Sequence, residues 1–419
     1  MLLEARDKIE PLEKLVGRHF RGRRDELATL AAPQGFGPQQ KRVLALTGIG
    51  GVGKSALIGR FILFLLDEDV PRPFVYLDFD RTEVDPGSQR KLIERMARNL
   101  GLLYAGLPSS QELYALEAIA AGDPNAPEES LADWLPTGGA DEELLRALRS
   151  RLELLGRDDL LLILDTFEQV AVRGPEVIRY VADFVELVLR VLPEARVVVS
   201  GRGQIALPLD MHPMRLEDLD PESADAVLEA RGVDDQAVRS RIVEVMGRSP
   251  LVLRLASQAV KSGKLSLDDL DRFEAEARGK RVQGLLYTRI LGHIRDPEVE
   301  RLAHPGLVVR RVTADVIRVV LSDICEIDPA RADTLFARLP NYIDLFEPAS
   351  DPATIDSGDP LADPHALRHR QDLREAIIEV MGDDPRWRNM LPQIHQRAVD
   401  YYRGQSGIVP RAELLSTIA

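Results

Sequence analysis

The sequence predicts an α/β domain with a parallel β-sheet, followed by a small helical domain and a winged-helix domain. In the first half, apolar runs such as KRVLALTG, LLLILD and ARVVVSG alternate with helical patterns, which is typical of parallel strands covered on both faces. After about residue 207 helical patterns dominate, with PESADAVLEARG, DDQAVRSRIVEVMG and PLVLRLASQAVKSG in succession. Near the end, YIDLFEPA and LRHRQDLR suggest the two strands of a wing, with residues 351–364 as its exposed tip.

The composition is that of a globular protein with several domains. The 419 residues are too many for one core, and 45% hydrophobic with 29% charged residues is ordinary for folded domains. The formal net charge of −14 argues against a surface that binds nucleic acid by neutralising phosphates. Cys325 is the one cysteine, which excludes a disulfide framework within the chain. The charged first residues and the lack of an apolar run of about 20 residues predict a cytoplasmic location without membrane contact.

The segment LTGIGGVGKSALIG, residues 46–59, matches the phosphate-loop pattern G-x-x-x-x-G-K-[ST] at every fixed position. Glycines in such a loop let backbone N–H groups converge on phosphate oxygens at a helix N-terminus. Lys54 is expected to reach the β- and γ-phosphates, and Ser55 to bind Mg²⁺. The strand pattern before the loop and the apolar helix pattern after it are the context that this mechanism requires. The predicted nucleotide-binding residues of the loop are Gly48, Gly50, Gly51, Val52, Gly53, Lys54, Ser55 and Ala56.

Further candidate residues follow the other apolar strands. Asp165 ends LLLILD and is the candidate for holding Mg²⁺ through water, the alternative being a helix N-cap. Vigorous P-loop ATPases carry a glutamate directly after this aspartate, where this sequence has Thr166. Glu168 is the nearest substitute, either as a water-positioning base or as a carboxylate at the pocket rim. Arg202, just past VVVSG, either contacts the γ-phosphate or is a solvated loop residue. Pro250 either presses on a base or only begins a helix.

Four of these segments, in order, resemble the STAND class of signal-transducing NTPases, close to the NB-ARC modules. They are FRGRRDEL, GIGGVGKS, LLLILDTFE and GRSPLVLRLA, and their order and spacing agree over residues 20–256. The resemblance implies a P-loop domain of the ASCE type that binds ATP or ADP with Mg²⁺. It also implies that Arg23 lies near the base or ribose, that Pro250 lies against the adenine, and that Arg202 senses the γ-phosphate.

The function implied by the resemblance is a switch. Bound ADP clamps the P-loop and winged-helix domains together, and exchange for ATP frees them to assemble into a homo-oligomer that activates a protein effector. Lack of a glutamate at Thr166 favours holding a nucleotide over rapid turnover, so any ATPase activity is expected to be slow. The sensor, the effector, the trigger and the oligomer size are not specified by the sequence, and a role in bacterial defence or stress signalling is a suggestion only.

The implied domain order can be placed on the sequence. The predicted segments are an N-terminal linker or helix at 1–19, the P-loop domain at 20–207, the helical domain at 208–280, the winged-helix domain at 281–384, and the start of a tetratricopeptide-like helical region at 385–419. Many relatives end the winged helix with a histidine-aspartate pair whose histidine touches ADP. Here Gln371 stands at the histidine position and His369 comes two residues early, so a nucleotide contact by His369 stays open. The chain is either an excised core or a protein whose sensor and effector are separate.

Two other functions compete with the switch. A winged helix in a DNA-binding regulator would enter a major groove, yet the candidate recognition helix TADVIRVVLSDI is mostly apolar, with Arg318 as its one basic residue. The other alternative is a metabolic kinase or a motor ATPase, and a kinase needs a second substrate pocket with its own acid or base. The candidates near the loop are Asp78 and Asp80 in VYLDFD, which also read as the end of a strand. We therefore expect nucleotide and protein partners, and neither nucleic acid nor membrane.

Overall fold

The fold is that of a computed structural model of the chain. It describes residues 13, 16–32, 35–67, 72–81, 84–103, 141–154, 156, 159–261, 263, 265–276, 296–303, 305–341, 346–349, 365–369, 387 and 389–405. Several predicted features lie outside these residues: most of the N-terminal segment, the wing tip at 351–364, and Gln371.

A five-stranded parallel sheet forms the centre of the first part of the chain. Its strands are β1 (Val43–Thr47), β2 (Phe74–Asp78), β3 (Leu161–Asp165), β4 (Arg196–Gly201) and β5 (Met211–Arg215). The spatial order is β2-β3-β4-β1-β5, and every neighbouring pair is parallel. The carboxyl ends of all five strands therefore meet at one edge, where the phosphate loop begins. The predicted α/β P-loop fold is confirmed, and β4 between β1 and β3 agrees with the predicted ASCE type.

The inner strands form because their residues are mostly apolar and are covered on both faces. Every residue of β3 and β4 is buried. Strand β5 differs, since its residues are half-buried or exposed and it contains Pro213, a residue that sheets accept at an edge. The predicted boundary at residue 207 thus falls before the sheet ends, because the mixed sequence MHPMR carries no strand pattern.

Helices cover the two faces of this sheet, and each face has its own apolar cluster. They are α1 (Arg24–Ala31), α2 (Lys54–Leu66), α3 (Gln89–Leu103), α4 (Asp141–Leu154), α5 (Glu168–Val172) and α6 (Pro175–Val191). The sequence-based prediction missed α6, which links β3 to β4. It begins with a proline at its N-terminus and buries one apolar stripe that includes Val181, Phe184 and Val188. Such a crossover is required between two parallel neighbours.

Four helices follow the sheet. They are α7 (Pro221–Ala230), α8 (Gln236–Met246), α9 (Pro250–Lys261) and α10 (Leu267–Glu276). Two of their ends have typical caps: the Asp220 carboxylate accepts a hydrogen bond from the Ser223 N–H at the start of α7, and Gly247 ends α8 with a φ of 90°.

The last part of the described chain combines short helices with a three-stranded antiparallel sheet. The helices are α11 (Pro297–Ala303), α12 (Ala314–Val316), α13 (Ala332–Phe336) and α14 (Met390–Arg403), and the strands are β6 (Arg311–Val312), β7 (Phe346–Pro348) and β8 (Leu367–His369) in the order β6-β8-β7. Its core is continuous with that of α7–α10, from Leu219 to Tyr402. The predicted pairing of YIDLFEPA with LRHRQDLR is present as β7–β8, while the winged-helix assignment itself stays a prediction.

The segment considered as a recognition helix packs inward. Helix α12 continues as a π-helical turn, Ile317–Leu321, and its apolar residues Val316, Ile317 and Val320 are buried. Arg318 forms ion pairs with Asp315 and Asp333. Among the helices that the structure describes, none is long and apolar enough to cross a membrane.

Candidate nucleotide-binding site

The phosphate loop connects β1 to α2 at the carboxyl edge of the sheet. Gly51 and Gly53 adopt left-handed backbone conformations, with φ of 77° and 97°, which only glycine accepts without strain. Helix α2 begins at Lys54 directly after Gly53. The first N–H groups of a helix have no acceptor within it and carry the positive end of its dipole. The geometry therefore supplies an anion site where the sequence predicts one.

Lys54 lies folded over this loop. Its Nζ donates hydrogen bonds to the carbonyl oxygens of Gly48 at 2.9 Å and Ile49 at 3.2 Å. Burial lowers the pKa of Lys54, and the nearby carboxylates of Glu168 and Asp165 act in the opposite direction. Arg202 also acts on Lys54 electrostatically. The structure thus brings the four predicted catalytic residues, Lys54, Asp165, Glu168 and Arg202, into one neighbourhood.

The two predicted Mg²⁺ ligands are in contact. Ser55 Oγ donates to Asp165 Oδ2 at 2.9 Å, and Tyr76 Oη donates to the same oxygen at 2.8 Å. Burial raises the pKa of Asp165, with a further contribution from the Asp78 carboxylate on the neighbouring strand. The N-cap alternative is wrong, because the residue that precedes α5 is Phe167 and no side chain caps that helix.

These two oxygen ligands fit a Mg²⁺ ion. The ion prefers carboxylate and hydroxyl oxygens, and it completes its shell with water and phosphate oxygens rather than with a full protein cage. The described residues contain no group of three or more His, Cys, Asp or Glu able to hold a metal by themselves. Asp165 is buried next to the Asp78 carboxylate, and a divalent cation bound at Asp165 would neutralise its negative charge.

Thr166 takes an unusual conformation at the position of the missing glutamate. Its φ is 61°, in the left-handed region that non-glycine residues rarely enter. Its N–H donates to Asp165 Oδ1 at 2.9 Å, and its Oγ1 donates to Asp78 Oδ1 at 2.8 Å. The hydroxyl is therefore directed at β2 and joins the two carboxylates into one network.

Glu168 and Arg202 form a pair beside the loop. The Glu168 carboxylate accepts from the Arg202 N–H at 3.1 Å and lies 3.4 Å from Arg202 Nε. A side chain at Gly50 would place its Cβ 3.2 Å from the Arg202 guanidinium, so this cation lies directly over the loop. Burial lowers the pKa of Arg202, while Glu168 and Asp80 act to raise it. A phosphate-sensing role for Arg202 and a base role for Glu168 stay predictions.

Arg23 supports the loop from α1. Its buried guanidinium donates to the carbonyl oxygens of Val52 at 3.1 Å and Glu217 at 2.5 Å, and it pairs with Glu26 at 3.0 Å. Arg23 itself has a φ of 63°. The side chain therefore braces the loop backbone, and its predicted contact with base or ribose stays a prediction.

Pro250 lies at the start of α9, which packs on the loop from the helical part of the chain. The Leu251 N–H donates to Gly51 O at 3.2 Å, and Ser249 Oγ donates to the same oxygen at 3.1 Å. A Cβ at Gly53 would lie 3.4 Å from Pro250 Cγ. The sequence-based prediction singled out Pro250 but missed Ser249 and Leu251. No local sequence signal indicates that these two residues will donate hydrogen bonds to the backbone of Gly51.

Tyr76 is the other site residue that the prediction missed. Its only signal in the sequence is a hydroxyl within the otherwise apolar run FVYL. His369, whose nucleotide contact was left open, is buried with its ring 4.4 Å from that of Phe346, and a Cβ at Gly306 would lie 3.1 Å from its Nε2. Both neighbours belong to the last part of the chain.

A parallel sheet with this strand order, a phosphate loop at its carboxyl edge and a Ser55–Asp165 pair beneath that loop define a P-loop NTPase fold. No protein-family model matches the chain. A probable ATPase of Lysobacter enzymogenes is 23% identical over an alignment of 354 residues, and the match covers 74% of this chain and 32% of that protein. The chain thus spans about a third of the length of this relative.

Two solved structures are similar at low identity. The Walker-type ATPase of Pyrococcus abyssi has a TM-score of 0.42 and 14% identity, covering 86% of this chain and 96% of its own. A STAND protein of Pyrococcus horikoshii with a tetratricopeptide repeat sensor has a TM-score of 0.45 and 13% identity, covering 95% and 47%. The chain is thus similar to a STAND protein and to Walker-type and probable ATPases, in line with the resemblance predicted from the sequence.

Proposed function

We propose that the chain is a nucleotide-operated switch that binds ATP or ADP with Mg²⁺ at the phosphate loop. The observation that carries this proposal is the contact of α9 with the loop, in which Leu251 and Ser249 both donate to Gly51 O. The loop that would hold the phosphates is the same backbone on which the helical part of the chain rests. Occupancy of the loop and the position of those helices are therefore coupled.

Each residue has a proposed task. Loop N–H groups at the start of α2 bind phosphate oxygens, and Lys54 leaves the carbonyls of Gly48 and Ile49 to contact the β- and γ-phosphates. Ser55 and Asp165 hold Mg²⁺, which supplies neutralisation of phosphate charge when bound. Arg202, over Gly50, meets the γ-phosphate and distinguishes ATP from ADP. Arg23 keeps the Val52 carbonyl in place, and Pro250 lies against the adenine.

Slow hydrolysis of ATP follows from the lack, among the residues that the structure describes, of a free carboxylate positioned to activate water. Thr166 carries no group able to take a proton from water, and the Glu168 carboxylate is engaged by Arg202. Bound nucleotide therefore persists long enough to bias the conformation. A coupling of about 1–3 kcal/mol between nucleotide and domain closure, the usual range, changes affinities about 5–150-fold. We further propose that the ATP-bound form opens and assembles into a homo-oligomer that acts on a separate effector.

The alternative of a DNA-binding regulator is weaker. The predicted recognition segment buries most of its apolar residues, although Val319 is exposed, and its single basic residue, Arg318, is already paired with two aspartates. The net charge of −14 also opposes binding to a polyanion. A gel shift on random duplex DNA at low salt tests this alternative, and retention of the duplex would revive it.

The proposed function is tested by the nucleotide that accompanies the purified protein. After denaturation, anion-exchange analysis of the supernatant should find ADP near one per chain. Lys54→Ala should abolish this ADP, whereas Lys91→Ala, which removes an exposed lysine from α3, should retain it. A coupled ATPase assay completes the test. Many turnovers per second, or equal ADP content in both variants, would refute the switch.

A further inference from the structure

Two buried acids lie at the end of β2, next to the candidate Mg²⁺ site. Asp78 is opposite Asp165 in the β2–β3 register, and Asp80 follows two residues later. Their side chains are 6% and 5% exposed. Carboxylates this deeply buried need a cation or several hydrogen bonds, because loss of hydration costs several kcal/mol per ion. The sequence offers no reason for two of them here beyond a strand end.

One cation is local, since Arg81 Nε lies 3.6 Å from Asp78 Oδ2. The other two come from the far end of the chain. Arg368, on β8, places Nη1 3.0 Å from Asp80 Oδ2 and Nη2 3.6 Å from Asp78 Oδ2. Arg310, directly before β6, has Nη1 3.9 Å from Asp80 Oδ1. The side chains of Arg368 and Arg310 are 10% and 6% exposed. One guanidinium thus spans both acids, and the three-stranded sheet is joined to the P-loop sheet by buried charges.

The same acids are connected to the nucleotide site. Thr166 Oγ1 donates to Asp78, the Thr166 N–H donates to Asp165, and Asp165 accepts from Ser55 of the loop. Asp80 also acts electrostatically on Arg202. A chain of direct contacts therefore joins Arg368 to Ser55 of the loop, with Asp78, Thr166 and Asp165 between them.

We propose that Asp78 and Asp80 are the docking site for Arg368 and Arg310, and that this ionic latch holds the three-stranded sheet against the P-loop unit and slows nucleotide release. Breaking one partner leaves a buried charge uncompensated, so the latch is either closed with all its charges paired or open with all of them hydrated. Its effect on nucleotide rests on the proposed function, whereas the docking itself does not.

The alternation of side chains along β8 explains why Arg368, and not His369, faces the P-loop unit. Successive side chains of a strand point to opposite faces. On β8, Arg368 contacts Asp80, while the ring of His369 packs on Phe346 within its own sheet. The chain thus places a cation toward the acids of β2 from the strand that also carries His369.

The latch is tested by the release of mant-ADP from the full chain under a chase of unlabelled ADP. Arg368→Met and Asp80→Asn should each accelerate release about tenfold. The double variant should be within about threefold of the faster single variant, whereas independent effects would multiply to about a hundredfold. The control is Arg397→Met, which removes an exposed partner of Asp323 elsewhere in the same part of the chain and should leave the rate unchanged.

Hydrogen exchange without nucleotide separates the latch from the proposed function. In Arg368→Met, amides at the end of β2 and in 365–369 should exchange at least tenfold faster than in the wild type. If they do while the wild type binds no mant-ADP, the latch holds and the proposed function fails. Unchanged exchange and unchanged release in Arg368→Met and Asp80→Asn would overturn the latch while leaving Lys54-dependent binding intact.

A second variant keeps the test decisive if Arg368→Met does not yield folded protein. Arg368→Lys retains the charge but lacks the planar fork that reaches two carboxylates at once. Its mant-ADP release should be a few-fold faster than that of the wild type. A wild-type rate in this variant would count against the latch.

Discussion

Replacing Gly51 by alanine should push α9 off the phosphate loop. Gly51 has a φ of 77°, and a Cβ built on it would lie 2.7 Å from both Cβ and Cδ2 of Leu251. Rotation of the leucine side chain can move Cδ2 away, but it cannot move Cβ, which is fixed to the helix backbone. The helix itself must therefore shift, and the hydrogen bond from the Leu251 N–H to Gly51 O must lengthen.

The expected cost can be worked out from three contributions. Left-handed strain of a non-glycine residue costs about 1–2 kcal/mol, and overpacking at a tight contact costs about 1–3 kcal/mol. Alanine also lowers the conformational entropy of the unfolded chain, which stabilises the folded protein by about 0.5–1 kcal/mol. Gly51→Ala should thus destabilise the protein by about 1–4 kcal/mol.

Gly263→Ala provides the matched control. Gly263 has nearly the same φ, 70°, but no atom lies within 4 Å of a Cβ built on it. The backbone contributions are shared, so the difference between the two variants isolates the contact with Leu251, about 1–3 kcal/mol. By thermal unfolding without nucleotide, Gly51→Ala should melt about 2–6 °C below Gly263→Ala, and it should bind mant-ADP more weakly. Equal melting temperatures and equal affinities for the two variants would refute the packing of α9 on the loop.

Three further predictions test other parts of the structure. Asp165→Asn should raise the Tm of the nucleotide-free protein at pH 7, since burial raises the pKa of Asp165 and its ionisation opposes folding. The gain over the wild type should shrink as the pH falls toward the ordinary aspartate pKa of 3.8 and vanish below it, where the carboxyl is protonated in both the folded and the unfolded state. A gain independent of pH would contradict this. Burial raises the pKa of Cys325 to about 12, so a thiol reagent at pH 8 should label it only in denaturant, and rapid labelling of the native protein would show an open core. Asp220→Ala should lower the free energy of unfolding by about 1 kcal/mol, because it removes the cap of α7. The measurement is urea unfolding, and the control is Asp218→Ala, which removes an equal charge two residues earlier. Equal stability of the two variants would argue against the cap.

The parts of the site that could be predicted from sequence are those encoded locally. A phosphate loop requires glycines, a lysine and a hydroxyl at fixed spacing, because one backbone turn and one helix start perform the binding. Asp165 was predictable for a similar reason, as an acid that ends an apolar strand reaches the same sheet edge. Helix ends at Asp220 and Gly247 were likewise visible, since a cap acts over three or four residues.

The parts that could not be predicted depend on partners far away in sequence. Strand β5 has no apolar alternation of its own and pairs only because β1 presents a free edge. Asp78 and Asp80 read as a strand end, since their partner Arg368 lies in another part of the chain. Tyr76 looked like a core aromatic until the strand register placed its hydroxyl on Asp165.

Two contacts tie the later parts of the chain to the nucleotide site, and they differ in physical nature. Contact of α9 with Gly51 is close packing with two hydrogen bonds, so salt should hardly affect it. The latch at Asp78 and Asp80 is ionic, but it is buried, and buried pairs are screened far less than exposed ones. Salt alone will therefore not separate the two contacts, whereas Gly51→Ala and Arg368→Met each disturb one of them. If both contacts restrain one closed state, combining the two substitutions should accelerate mant-ADP release by less than the product of their separate effects. Once the first substitution has opened this state, the second contact no longer restrains nucleotide release.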